Sequence, residues 1–232
     1  MLIEILYPEL CNLFGDTGNM RYLKRCLPEA EFAETSLNEE PRFVSAVPSL
    51  IYMGPMTERA QERVIERLSP YKERIAELID TGCIFLFTGN AMEVLGESIE
   101  APEGKIEGLG VLKIRAKRDM KNRHNSLFLG NFGDMDIVGF HSRFSTAESE
   151  EPGFAAVLRG SGINKSAKTE GVHKNNFFGT NLVGPVLVIN PDFTQYLIGL
   201  MGSDKRIAFE ETARAAFAAR LKEFKDERRH LD

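Results

Sequence analysis

Gly82-Cys83-Ile84-Phe85-Leu86-Phe87-Thr88-Gly89-Asn90-Ala91-Met92-Glu93-Val94-Leu95-Gly96 is the stretch that decides the fold. Cys83 to Phe87 is wholly apolar and too short for a helix, the pattern of a strand covered on both faces. Thr88 to Ala91 is a turn of small residues, and the chain leaves it into a short helix ending before Gly96. Upstream, Ser49 to Met53 is a second apolar run that meets Gly54-Pro55, a strand entering a turn. Between the two strands, Thr57 can cap a helix from Glu58 with Ala60, Val64 and Leu68 on one face. Ser69-Pro70 reads as the cap and first-turn proline of a second helix, with Ile75, Leu78 and Ile79 apolar and Gly82 as its stop. Strand, helix and strand in this order predict a partly parallel sheet flanked by helices, an α/β fold.

Working outward, Leu2 to Tyr7 reads as a first strand, Cys11 to Asn19 as a turn-rich loop, and Met20 to Cys26 as a short helix ended by Pro28. Beyond Gly96 the pattern shifts to short strand candidates: Val111 to Ala116, Ser126 to Leu129, Asp136 to His141, Phe154 to Leu158, Phe177 to Leu182 and Pro185 to Ile189. Asn190-Pro191 opens a helix through Met201, and a C-terminal helix is expected over about 205–229. Its apolar stripe, Ala213, Phe217, Leu221 and Phe224, reads first as a packing face.

The chain has 232 residues, 34 acids against 29 Lys and Arg, and a net charge of −5. That length suits one sizeable domain, so residues 1–232 are read as one unit. A weakly acidic chain without a basic run argues against sequence-independent binding of nucleic acid or of anionic membranes. No apolar stretch approaches the roughly 20 residues of a membrane helix. The start, Met1-Leu2-Ile3-Glu4, has no basic region of a signal peptide. Cys11, Cys26 and Cys83 are odd in number and lack metal-ligand spacing, which predicts reduced thiols, a cytoplasmic location and no metal or other cofactor.

A sharp strand-to-helix turn can present a nucleophile at its tip and aim the next backbone N–H groups at a developing oxyanion. It is also an ordinary βα connection, which every parallel sheet needs, and on spacing alone that is the default. His141 and His173 lie where either could approach a site, although a lone histidine there is more often packed or solvent-facing. His124 and His230 sit in charged contexts that predict exposure.

Three separated segments resemble the class I (triad) glutamine amidotransferase domains of the CobB/CobQ group, and within it the GatD-type glutaminase subunits of the enzyme that amidates lipid II. Tyr7-Pro8-Glu9-Leu10-Cys11-Asn12-Leu13-Phe14-Gly15-Asp16-Thr17-Gly18-Asn19 is similar to the family's opening, YPxxLNxYGDxGN. Gly82 to Gly96 is similar to its elbow, GxxxLxxCGGYQLLG, and Gly179-Thr180-Asn181-Leu182-Val183-Gly184-Pro185 with Asn190-Pro191 to GTYLHGPxLxxNP. Gly54 and Gln61 stand where the family has its GGGxDxxQ turn and helix. The resemblance implies a flavodoxin-like three-layer sandwich with a mixed, partly parallel sheet.

It also implies departures. The family's nucleophilic cysteine falls on Gly89 and its base histidine on Val183. Hydrolysis of glutamine by this route needs a thiolate activated by an imidazole, and neither replacement can supply one. Phe87 replaces a glycine and is expected to crowd the elbow; Glu93 replaces a glutamine; Pro55 removes a backbone donor from the neighbouring turn. If Glu93 borders the pocket, its charge would repel a substrate carboxylate. Cys83, six residues before the tip, is expected to be a buried core thiol about 20 Å from it, and Thr88 to point away from the tip.

No catalytic residue is therefore expected, and a remnant pocket built from Gly54, Gly89, Asn90, Glu93, Asp16 and Asn19 is. The leading expectation is a silent amidotransferase-like domain. It would bind a separate ligase or synthetase subunit (Mur-ligase-like by resemblance) or a small ligand such as glutamine. The rival is an active subunit that supplies ammonia to a Mur-ligase-like or cobyrinate-type synthetase through an unrecognised nucleophile, or a hydrolase of different chemistry that uses Thr88, Asn90 or Asp16 with water.

Overall fold

The apolar run at Cys83 is extended from Ile84 to Thr88 in the computed structural model, which describes residues 1–228. In chain order the strands are β1 (Leu2–Leu6), β2 (Glu31–Thr35), β3 (Leu50–Met53), β4 (Ile84–Thr88), β5 (Ser98–Ala101), β6 (Gly104–Glu107) and β7 (Ile114–Arg118). They continue with β8 (His124–Phe132), β9 (Met135–Arg143), β10 (Ser145–Ser149), β11 (Ala155–Arg159), β12 (Thr169–Glu170), β13 (Val172–Lys174) and β14 (Phe177–Thr180). The helices are α1 (Gly18–Cys26), α2 (Glu58–Leu68), α3 (Lys72–Asp80), α4 (Val186–Ile189), α5 (Pro191–Leu200) and α6 (Glu210–Lys225).

The main sheet has the order β13-β14-β4-β3-β1-β2; only the β13–β14 pair is antiparallel. Its central strands explain the unbroken apolar runs, because successive side chains leave opposite faces. Phe85 and Phe87 of β4, with Ile51 and Met53 of β3, pack under α2 and α3. Ile84 and Leu86, with Leu50 and Tyr52, pack under α1 and α5. Helices thus cover both faces, which gives the expected three-layer α/β arrangement.

Two four-stranded sheets complete the structure, β10-β7-β5-β6 and β12-β11-β8-β9. The long β8–β9 hairpin turns at Gly133-Asp134, where Gly133 has φ +56°, and runs in register to the pair His124–Arg143. The stripe of α6 packs as expected: Phe224 is buried against Leu129 and Val138 of that hairpin, with Phe217 and Leu221 beside it.

Several expectations are corrected. Ser69 makes no side-chain cap; Ser69–Tyr71 is a 3-10 turn continuing directly from α2. The strand expected from Val111 begins at Ile114, because the N–H groups of Val111 and Leu112 both bond to Leu95 O. Pro185 to Ile189 is a helical turn, held by Asn190 Nδ2 on Val186 O and by Leu187 N on Asn19 Oδ1. The C-terminal helix starts at Glu210, since Phe209 takes a left-handed conformation, φ +56°, and it ends at Lys225. Arg229 and His230 lie outside the described residues. No helix among the described residues is long and apolar enough to cross a membrane.

Candidate functional site

The turn after β4 is built by one backbone reversal. Thr88 is still extended (φ −113°, ψ 152°), and Gly89 takes φ +60° and opens a 3-10 helix, Gly89–Leu95. A left-handed residue at such a tip favours glycine, which has no Cβ to clash. The close surroundings demand it too. A Cβ on Gly89 would lie 2.5 Å from Pro55 Cβ and 3.2 Å from Val183 Cγ1.

Asn90 clamps the opposing turn. Its Oδ1 accepts from Met56 N at 3.0 Å and its Nδ2 donates to Met56 O at 2.9 Å, while Gln61 Nε2 donates to Asn90 O at 2.8 Å. Val183 is brought in by a strap after β14, where Val183 N donates to Phe140 O at 2.9 Å and Gly184 takes φ +74°. Gly89, Asn90, Pro55 and Val183 together line a cavity of about 300 Å³.

The other residues expected in the pocket do not line this cavity. Gly54 is buried, and a Cβ there would fall 2.3 Å from Cys11 O, so it serves a close backbone approach. Asp16 is fully buried below the turn. Its Oδ2 accepts from Tyr52 Oη at 2.5 Å, from Asn19 Nδ2 at 3.1 Å and from Thr88 Oγ1. Burial pushes the Asp16 carboxyl up to about 6 against the lowering effect of these donors. Asn19 links this group to α4 through Leu187 N, 2.8 Å from its Oδ1.

Glu93 is buried as well, holding Ser145 Oγ and Gln61 Nε2 (3.0 Å). Burial raises its carboxyl from the ordinary range. It sits beneath the wall rather than in it. Phe87 does not crowd the elbow either; its ring packs edge-on against Phe85 and Phe177 in the core.

Thr88 is turned to Asp16, as expected. Cys83 is buried with its thiol 3.2 Å from Pro48 O, and burial pushes that thiol up to about 12. Burial raises Cys11 and Cys26 as well. None of the three thiols lines the cavity.

His141 is fully buried, with Nδ1 at 3.2 Å from Ser126 Oγ and Nε2 at 3.6 Å from Glu170 Oε1. Burial lowers its pKa, against the raising effect of Glu170 beside it. Glu170 resists its own burial penalty because His141, Thr180 Oγ1 (2.7 Å) and Asn181 N (2.6 Å) stabilise its charge, which holds its carboxyl low. His173 stacks on Phe178 at 4.8 Å. His124 is half-buried, bonded to Ser126 and Ser161, rather than exposed. Among the described residues no group of three or more His, Cys, Asp or Glu could hold a metal ion.

The rest of the wall was not anticipated from the sequence; it includes Leu13, Phe14, Glu58, Arg123, Arg143 and Phe144. Arg123 and Arg143 come from the open end of the β8–β9 hairpin. The signal for them lay in the Gly133-Asp134 turn, since counting outward from it sets His124 opposite Arg143.

Comparison with known proteins agrees with this architecture. The family profile for the CobB/CobQ-like glutamine amidotransferase domain matches residues 2–189. The GatD subunit of lipid II isoglutaminyl synthase (glutamine-hydrolyzing) from Staphylococcus aureus is 27% identical over 202 residues, 86% of this chain and 83% of that protein. The GatD subunit from Streptococcus pneumoniae is 28% identical over 211 residues, 84% of this chain and 78% of that protein. Among solved structures, a glutamine amidotransferase superposes with a TM-score of 0.55 at 12% identity, covering 86% of this chain and 98% of its own. Another, from Thermotoga maritima, superposes with a TM-score of 0.53 at 11% identity, covering 97% and 92%.

Proposed function

The chain belongs to the CobB/CobQ-like glutamine amidotransferase family, and from that premise we propose that this member has lost glutamine hydrolysis and serves as a binding subunit. The observation that carries the reading is Gly89. It stands at the elbow tip, where the family resemblance puts the nucleophilic cysteine, and the space for a side chain there is filled by Pro55 and Val183. Val183, at the position of the base histidine, lines the same cavity. The candidate substitutes support the same conclusion. Thr88 and Asp16 hold each other below the turn, Asn90 is spent on Met56, and the three thiols are buried with raised pKa values. A thiol kept protonated is a poor nucleophile.

The two curated relatives are, by name, subunits of a lipid II isoglutaminyl synthase. We take the partner of this chain to be a separate ligase or synthetase subunit, Mur-ligase-like by that resemblance. A small ligand such as glutamine in the elbow cavity is the other occupant. Residues 1–232 act as one amidotransferase-like unit in this reading, and the three buried, unpaired cysteines fit a reducing cytoplasm.

The test is ammonia release from L-glutamine by the natively purified protein with whatever partner accompanies it. Release no greater than background, with a ligase-like partner present, is the expected result. Clear turnover would overturn the reading and make a residue described above as structural the nucleophile.

A further inference from the structure

A second cavity of about 280 Å³ adjoins the elbow cavity and shares Arg123, Arg143, Phe144 and Ser145 with it. It lies where β7 and β10 of one small sheet meet the ends of β8 and β9 of the other. The chain as a whole is acidic, yet four of the ten residues around this cavity are Lys117, Arg123, Arg143 and Lys165. The carboxylate among them, Asp119, is engaged locally by Lys121 N (3.0 Å) and Asn122 Nδ2 (2.7 Å).

Arg143 is the decisive group. Its side chain is only 7% exposed, and its Nη2 donates to Gly162 O at 2.6 Å. Its Nε and Nη1 are buried and have no hydrogen-bond partner among the described residues. Glu93 and Glu170 lie close enough to attract it. Their oxygens are committed elsewhere, to Ser145 and Gln61 in one case and to Thr180 and Asn181 in the other. A guanidinium buried with unmet donors is costly, because its N–H groups have lost water without gaining an acceptor. Arg143 lines the cavity, and an oxyanion that displaced its neighbours far enough to reach these donors would offset that cost.

The surrounding cations are available. Arg123 lies over the Phe144 ring at 4.4 Å, and neither it nor Lys165 pairs with a carboxylate among the described residues. Lys117 reaches Glu100 at 3.2 Å in an exposed pair, which contributes little and is readily exchanged. Cations converging from four chain segments match a multiply charged group with several acceptor oxygens better than a single carboxylate.

We propose that this cavity binds the phosphoryl group of a small phosphorylated molecule, with Arg143 as its anchor and Arg123 and Lys165 at its mouth. The site stands whether or not the elbow hydrolyses glutamine, because its readout is binding rather than ammonia.

The experiment titrates inorganic phosphate and pyrophosphate into the full chain by calorimetry and thermal melting, with sodium chloride matched for ionic strength and L-glutamate as the carboxylate arm. Saturable binding of pyrophosphate, tighter than that of glutamate, is expected. Arg143→Gln should weaken it about tenfold or more, the loss of a charge-assisted bond. Because that variant removes a buried charge, Arg123→Ala and Lys165→Ala serve as exposed-site variants that keep the fold, and each should weaken binding several-fold. Absence of binding above the salt-matched control would overturn the proposal. So would tighter binding of glutamate, or equal affinity in Arg123→Ala and Lys165→Ala.

Discussion

Gly89 and Pro55 face each other across the elbow so closely that a Cβ on the glycine would stand 2.5 Å from the proline Cβ. The two residues come from different βα turns, after β4 and after β3. Their contact is fixed by the parallel register that sets Met53 beside Phe87. The tip therefore has no room for a side chain until its neighbour gives way.

This makes the recovery of hydrolysis conditional. Gly89→Cys alone should destabilise the protein by about 2–4 kcal/mol, from the left-handed backbone and the overlap together. It should release no ammonia from glutamine. Gly89→Cys with Pro55→Gly and Val183→His removes the overlap and restores both partners of the thiolate–imidazole pair. Ammonia release by this triple variant, set against the single variant and the parent, is the measurement; release by Gly89→Cys alone would refute the steric argument.

Asp16 gives a pH signature of definite sign. Its carboxyl is raised in the fold to about 6 from an ordinary value of 3.8. Between those two values the native state holds a proton that the unfolded chain has lost, so stability falls as pH rises from about 4 to about 6. A shift of about two units corresponds to roughly 3 kcal/mol as an upper figure. Asp16→Asn removes the titrating group. Denaturant midpoints of parent and variant should diverge across that window and run parallel above pH 7; parallel curves throughout would place the carboxyl's titration elsewhere.

The elements legible in the sequence were those whose own residues carry the pattern. Ile84 to Phe87 is apolar because both faces are covered, and Thr57 is a cap whose Oγ1 accepts from Ala60 N at 3.2 Å. Other strands are held by partners rather than composition. Ser145–Ser149 contains no large apolar residue and is extended because it pairs with β7; Glu31–Thr35 is half exposed and is extended beside β1. Val186 to Ile189 has strand-like composition but is turned into a helix by Asn19 and Asn190, tertiary contacts overriding propensity. At the site, Gly89, Asn90 and Val183 could be singled out because the resemblance of the elbow and of the segment after β14 to the family's motifs marks their positions. Arg143 escaped notice because it reaches the cavity only through the register of a nine-residue hairpin arm, which has to be counted out from the Gly133-Asp134 turn.

Asn90 tests whether the two turns are joined by its side chain. It supplies both an acceptor and a donor to the backbone of Met56. Asn90→Ala leaves those groups half-buried without partners, at a cost of about 1–3 kcal/mol for each that water cannot reach. Hydrogen exchange at the Met56 amide should accelerate well beyond the change in global stability. Acceleration no larger than the global change would mean that the turns are held together by the close packing of Gly89 on Pro55 and by Gln61 Nε2 on Asn90 O instead.

Glu170 concerns the strap that carries Val183. Its carboxylate holds Thr180 Oγ1 and Asn181 N at the end of β14 and faces the His141 imidazole, all without access to water. Glu170→Ala leaves several buried polar groups without partners and should cost about 3–5 kcal/mol. Glu170→Gln keeps the shape and an acceptor, and should cost clearly less. The pH dependence follows from the lowered pKa. Glu170 contributes stability above its ordinary range, near 4.5, and loses it as pH falls through the lower folded value. The parent's advantage over Glu170→Gln should therefore shrink on acidification below about pH 4.5, as followed by denaturant midpoints. An advantage that grows there would mean that Glu170 is protonated in the native protein and that the His141 pair is not held by its charge.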